Sequence, residues 1–252
     1  MPKILSFNNV KFSYYSKNGE TEACRNLNFY VNNGEFLGIV GPSGCGKTTI
    51  LSLASGLLTA SSGNVMLEDK IITSPSKDIG YMLQHDELFE WRKVIDNVLL
   101  GAEITKTKDK NCVNKAMELL NKYGLKDFYN KYPSELSGGM RQRVALIRTL
   151  MLNPKLLLLD EPFSALDFQT RLAVCDDVLK IIKQENMTAL FVTHDISEAI
   201  SMCDRIIVLT SRPTTVKKIF NIDFSTSLTP LKRREQPEFS KYFNDIWKEI
   251  QT

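Results

Sequence analysis

Apolar and polar positions alternate over the first third of the chain. KILSFNNVKFSY (residues 3–14) and NLNFYV (26–31) carry a two-residue period, which predicts half-buried strands with one face on a core. NNGE (32–35) signals a turn. EFLGIV (35–40) is continuously apolar, as expected of a strand covered on both faces. It stops at GPSGCGKTT (41–49), after which TILSLASGLL (49–58) reads as a helix. GNVMLEDK (63–70) and DIGYMLQ (78–84) predict two further strands.

From about Leu88 to Leu152 the period lengthens to that of helices. In KDKNCVNKAMELLNKYG (108–124), Val113, Ala116, Leu120 and Tyr123 share one face, and Gly124 supplies a C-cap. A second helix is predicted from Ser137 in SGGMRQRVALIRTLML. The last third alternates: strands at LLLLD (156–160), TALFVTHD (188–195) and DRIIVLT (204–210), helices at LAVCDDVLKIIKQ (172–184) and ISEAISMC (196–203). Such alternation predicts a parallel sheet with crossover helices, hence an α/β fold. The polar tail from Ser225 to Thr252 ends in the amphipathic FSKYFNDIWKEI and is too short for a further domain.

Composition narrows the class. The 252 residues suffice for one domain with a sizeable core. With 32 Lys+Arg against 29 Asp+Glu, the net charge of +3 is too balanced to argue for nucleic acid as a partner. No apolar run approaches the roughly 20 residues needed to span a bilayer. MPKILSFNNV lacks the pattern of a secretory signal, so a cytosolic protein is expected. The cysteines, Cys24, Cys45, Cys112, Cys175 and Cys203, form no CxxC pair, and no Cys/His zinc spacing exists; reduced thiols are expected. Cys45 is read as a small filler whose backbone matters. Its place at an expected helix N-terminus makes it a candidate target for chemical inhibition.

Gly41-Pro-Ser43-Gly44-Cys45-Gly46-Lys47-Thr48, followed by Thr49, matches GxxxxGK[ST] between a predicted strand and a predicted helix. Its glycines let backbone N–H groups wrap phosphate oxygens at a helix N-terminus. In such a loop Lys47 reaches the β and γ phosphates of ATP, and the Thr48 hydroxyl ligates Mg2+. The apolar run Leu156–Leu159 ends in Asp160-Glu161, at the sheet edge where open α/β folds bind ligands. Asp160 suits the magnesium shell, and Glu161 suits a general base acting on water.

Leu136-Ser137-Gly138-Gly139-Met140-Arg141-Gln142-Arg143 resembles the signature motif of the ABC ATPases, and the two phosphate-site motifs flank it in the matching order. Gln84 resembles the Q-loop glutamine, Ser164-Ala165-Leu166-Asp167 the D-loop, and His194 the H-loop histidine. The resemblance spans nearly the whole chain. It implies a single ABC ATPase domain over 1–252: a P-loop NTPase (RecA-like) core with an N-terminal antiparallel β-subdomain (1–87 and 152–252) and an inserted α-helical subdomain (88–151). It further implies that Gln84 serves catalysis and the metal, that His194 positions the γ-phosphate and water, and that Ser137, Gly138, Gly139 and Asp167 act on the nucleotide of a second copy. Tyr14, with Tyr15 as runner-up, falls where the family stacks an aromatic on adenine. His85, beside Gln84, is expected to be an exposed loop residue.

The resemblance leaves three kinds of ABC protein open: the energising subunit of a membrane transporter, a DNA-repair or chromosome ATPase, and a ribosome-binding translation factor. The second kind is interrupted by coiled coils or zinc modules, and the third carries two cassettes per chain; neither pattern is present. The run from Gln84 through Leu88, Trp91 and Asn97 to Val98 is similar to that of nitrate/sulfonate/taurine importers, with Glu90 where proline is usual. The resemblance thus implies a peripheral subunit on the cytoplasmic face of the membrane. Its partners would be a second copy of itself, separate transmembrane permease subunits and, indirectly, an extracytoplasmic substrate-binding protein. The Leu88–Phe89 pair, with Trp91, is expected to floor a groove for a permease helix.

Overall fold

A computed structural model describes residues 2–17, 19–225 and 228–251. Two sheets are present. The smaller is antiparallel, in the order β2-β1-β4-β5: β1 (Lys3–Ser16) and β2 (Gly19–Asn32) form a long hairpin, and β4 (Ser62–Leu67) pairs with β1 and with the short β5 (Lys70–Ile71). The larger runs β10-β9-β3-β8-β7-β6. Within it β3 (Phe36–Val40), β6 (Ile79–Met82), β7 (Leu156–Asp160), β8 (Thr188–Val192) and β9 (Arg205–Leu209) are parallel, and β10 (Val216–Asn221) adds an antiparallel edge.

The continuous apolar runs are explained by burial on both faces of the large sheet. Leu37 and Ile39, Leu156 and Leu158, Leu190 and Val192, and Ile207 and Leu209 face the small sheet and α1 (Lys47–Ser55). Their neighbours Phe36, Val40, Leu157, Leu159, Ala189, Phe191, Ile206 and Val208 face the helices of the opposite layer. A period-two pattern would put half of these residues in water, whereas each buried Leu here contributes roughly 1.5–3 kcal/mol. The Glu35 carboxylate and the Arg205 guanidinium, 2.7 Å apart, form a buried pair on which the Tyr30 ring stacks, tying the small sheet to the large one.

Residues 88–151 hold α2 (Val94–Val98), α3 (Leu100–Ile104), α4 (Lys110–Lys122) and α5 (Gly138–Leu150), with no strand among the described residues. Helix α4 starts on Asp109, whose carboxylate accepts from the Cys112 amide; of the predicted face Ala116, Leu120 and, just past the helix end, Tyr123 are buried and Val113 is half-buried, with Leu119 added to the core. Gly124 follows with φ +74°, the left-handed turn that favours glycine. Helices α6 (Phe168–Gln184) and α7 (Ile196–Met202) cover the large sheet. The tail folds as α8 (Pro230–Arg234) and α9 (Pro237–Gln251). α9 buries Ile246 against the sheet layer, and Glu249 lies 2.7 Å from Lys218 of β10. Strand β10 and helix α8 were not foreseen in the sequence.

Candidate active site

Strands β3, β8 and β7 are neighbours in the large sheet, so their carboxyl ends bring Gly41–Thr48, Thr193–His194 and Asp160–Glu161 to one edge. A cavity of about 460 Å³ opens there, lined by Ser43, Gly44, Gly46, Lys47, Thr48, Thr49, Glu161, His194 and Arg212. That volume suits a small-molecule ligand. The loop reaches this shape because Gly44 and Gly46 have φ of +70° and +119°, and Gly46 begins α1 without a side-chain cap, leaving the first amides of the helix free for an anion.

Lys47 is buried, and its ammonium donates to the Gly41 and Pro42 carbonyls at 3.0 and 3.1 Å. Cys45 fills the inside of the loop. Its thiol is buried, and burial pushes its pKa up against the opposing pull of Lys47. Burial thus opposes a thiolate at this helix N-terminus, which favours the reading of Cys45 as a small filler over that of a target for chemical inhibition. Its carbonyl accepts from the hydroxyl of Thr214, in the β9–β10 connection. The Tyr14 hydroxyl is 3.1 Å from that of Thr49, which places the Tyr14 ring beside the head of α1. Tyr15, 75% exposed, instead points its hydroxyl at Glu20 of the neighbouring strand.

The two strand-end acids differ in setting. Asp160 is buried, and burial raises its pKa while bonds from the Thr48 and Tyr81 hydroxyls oppose the rise. Its oxygens are hard donors beside the Thr48 hydroxyl, the chemistry that suits Mg2+. Glu161 adopts φ +45°, a left-handed conformation costly for a side chain of this kind and one that persists only where surroundings impose it. Its amide donates to the Val192 carbonyl at 2.8 Å, and its Oε2 lies 2.8 Å from Nδ1 of His194. A carboxylate only accepts, so that ring nitrogen carries the proton.

Gln84 is exposed and donates to the Ser164 hydroxyl at 3.4 Å, and that hydroxyl donates to the Glu161 carbonyl at 2.9 Å. Asp167 caps α6 through the Thr170 amide. Ser137 caps α5 through the Met140 amide, with Ser137 and Gly138 exposed. A Cβ on Gly138 would come within 2.9 Å of Leu166, and one on Gly139 within 2.8 Å of Val174. Tyr14, Gly41, Cys45, Gln84, Ser137, Gly138, Gly139, Asp160 and Asp167 do not line the cavity. His85 is exposed, as expected.

Sequence reasoning missed four contributors. Tyr81, on β6 beside β7, donates to Asp160 at 3.3 Å. Arg171 donates to the Leu166 carbonyl at 2.9 Å and lies within 3.7 Å of Asp195 and Glu198 at the head of α7. Arg212 and Thr214 come from the β9–β10 turn. Only Tyr81 left a usable signal: it sits on the strand leading to Gln84, where a polar-tipped aromatic interrupts apolar neighbours.

A family model described as ABC transporter matches residues 24–164. The uncharacterized ABC transporter ATP-binding protein YtlC of Bacillus subtilis is 46% identical over 248 residues, 98% of this chain and 95% of that protein. The nitrate import ATP-binding protein NrtD of Synechocystis is 38% identical over 249 residues, 97% of this chain and 92% of that protein. Among solved structures, the dimeric post-hydrolysis state of the ATP-binding cassette MJ0796, bound to ADP and Pi, superposes with a TM-score of 0.74 at 29% identity, over 88% of this chain and 100% of that one. The chain belongs to the ABC transporter family, and it is an ATP-binding, ATP-hydrolysing subunit of that class.

Proposed function

We propose that two copies of this chain clasp two Mg·ATP head to tail and drive an importer of a small anion through separate permease subunits, at the cytoplasmic face of a membrane. The observation that carries the reading is the division of the site. The cavity of one chain holds the phosphate loop, Glu161 and His194, while Ser137 and Gly138 stand exposed at the head of another helix, outside that cavity. A helix N-terminus without its anion is completed by the nucleotide of a second copy. Support for the cargo class comes from NrtD, named as a nitrate import protein. An extracytoplasmic binding protein would deliver the cargo. Among the described residues no helix is long and apolar enough to cross a membrane, in keeping with separate permease chains.

In this mechanism Lys47 and the loop amides compensate the β and γ phosphates, and Tyr14 stacks on adenine. Thr48, Asp160 and Gln84 would hold a magnesium ion, which would offset charge on the phosphates. Glu161 takes a proton from the attacking water, and His194, already bonded to it, fixes the carboxylate and the γ-phosphate. Asp167 acts across the dimer. Residues 88–151 move as a unit against 1–87 and 152–252 as the sandwich closes.

The expected docking groove needs one correction. Leu88 is only 6% exposed and belongs to the main core, so it is an anchor, not a floor. The accessible apolar surface is the Phe89–Trp91 stack, with ring centroids 4.8 Å apart and Trp91 74% exposed. The permease helix is proposed to rest on that stack.

The test is Glu161→Gln. Loss of the base should abolish steady-state hydrolysis while keeping ATP binding, and ATP should trap a dimer on gel filtration. A variant that binds ATP yet elutes only as a monomer contradicts the sandwich.

A further inference from the structure

Arg212 stands in the wall of the cavity with Ser43, Gly44, Lys47, Glu161 and His194. It is exposed, and among the described residues its guanidinium has neither an ion-pair nor a hydrogen-bond partner. Lys47, the other cation of the wall, is buried and already donates to two carbonyls. Glu161 is engaged with His194. Arg212 therefore keeps its full donor capacity toward whatever enters.

Its backbone is fixed in place. Residues Thr210 and Thr215 close the turn through an amide–carbonyl bond of 3.1 Å and an amide–hydroxyl bond of 2.9 Å. The Thr214 amide donates to the Ala23 carbonyl at 2.9 Å, and the Arg25 amide donates back to Thr214 at 3.0 Å. The Thr214 hydroxyl donates to the Cys45 carbonyl inside the phosphate loop. The turn carrying Arg212 is thus bonded directly to the glycine-rich loop of the cavity. An exposed arginine is ordinarily a solvated surface charge of little energetic consequence. This one is held at the mouth of an anion site, and its planar fork of donors matches phosphate geometry.

We propose that Arg212 is a nucleotide ligand that binds the phosphate chain of ATP as a second cation beside Lys47. The proposal rests on the nucleotide reading of the cavity and adds a residue to it. Because the side chain makes no bond among the described residues, its replacement should leave the fold intact.

The test measures the affinities of ATP, ADP and AMP for the wild type, Arg212→Gln and Arg212→Lys by calorimetry, at two salt concentrations, with thermal melting alongside. Arg212→Gln should weaken ATP and ADP by about fivefold, the size of a solvent-exposed ion pair, with AMP much less affected. The salt dependence of ATP binding should fall, and Arg212→Lys should recover part of the loss. Unchanged ATP affinity in Arg212→Gln overturns the proposal. So does an equal loss for all three nucleotides with a lowered melting temperature, which makes Arg212 a structural residue of the turn. A wild type that binds no ATP would instead remove the nucleotide reading itself.

Discussion

Arg141 lies in the signature sequence, and breaking its bonds separates two roles of that helix. Its Nε and one terminal nitrogen donate to the two Asp86 oxygens at 2.8 and 2.9 Å, and the same terminal nitrogen lies 2.7 Å from Glu90. One turn pair further along α5, Arg148 donates to the Asp86 and Glu87 carbonyls at 2.7 and 2.6 Å. The segment carrying the Phe89–Trp91 stack is thereby bound to the signature helix by four hydrogen bonds and one further ion pair. Arg141 and Asp86 are 23% and 18% exposed, so the pair is partly screened, and its loss should cost about 2 kcal/mol rather than the roughly 3–5 of a fully buried pair. Glu90, 52% exposed, adds little. A double-mutant cycle with Arg141→Ala, Asp86→Ala and the double variant, read by denaturant unfolding at pH 7, should return a coupling of about 1–2 kcal/mol. Burial alone would raise the Asp86 carboxyl, but the bonds from Arg141 and the Leu88 amide outweigh it and leave its pKa below the ordinary value. A carboxyl with a depressed folded value stabilises fully above the unfolded value of about 3.9 and loses that contribution as pH falls through the folded value. The coupling should therefore persist at pH 5 and fade only below about pH 4. A coupling under about 0.5 kcal/mol at pH 7, or one that fades already between pH 7 and 5, refutes this reasoning.

Two further outcomes are expected. Lys47→Ala should weaken ATP binding by roughly tenfold or more, measured by calorimetry, because the β and γ phosphates lose a charge-assisted donor; unchanged affinity would show that the loop does not hold phosphate. Tyr14→Ala should cost ATP affinity about 1–3 kcal/mol, and Tyr15→Ala should leave it unchanged, since only Tyr14 reaches the helix head; the reverse ranking would transfer the adenine platform to Tyr15.

The strand–loop–helix order around Lys47 and the strand-end acids were legible because each depends on local sequence: glycines at positive φ, an apolar run and its abrupt polar end. The face of α4 was legible for the same reason. Strand β10 was not, because VKKIFN carries two lysines and lies at a sheet edge, where one side of the strand meets water and the apolar signal is diluted. Leu88 was misassigned because an apolar residue looks alike in sequence whether it anchors a core or floors a groove. Tyr14 and Tyr15 could not be ranked from adjacency; strand pleating sends their side chains to opposite faces, and only the position of Thr49 shows which face meets α1. Arg171 and Thr214 act through contacts distant in sequence, for which one sequence holds no register, and Arg212 reaches the cavity only through the turn that Thr214 anchors.

Residues 164–167 join parts of the site that lie far apart in the chain. The Ser164 hydroxyl accepts from Gln84 and donates to the carbonyl of Glu161, the proposed base. The side chain of Leu166 packs where a Cβ on Gly138 would fall, so a larger residue in the signature loop would have to displace the end of that side chain within one chain. The Leu166 carbonyl accepts from Arg171, whose guanidinium also faces Asp195 and Glu198, and the Glu198 carboxylate accepts from the Thr193 hydroxyl next to His194. A displacement of this segment must therefore reach the Q-loop, the base, the signature loop and the histidine together. In a cassette whose signature loop acts on another chain's nucleotide, that linkage lets closure of the dimer set the geometry of Glu161 and His194. On the proposed mechanism hydrolysis follows assembly, because the groups assigned to the chemistry are held by the same few bonds as the groups assigned to meet the partner.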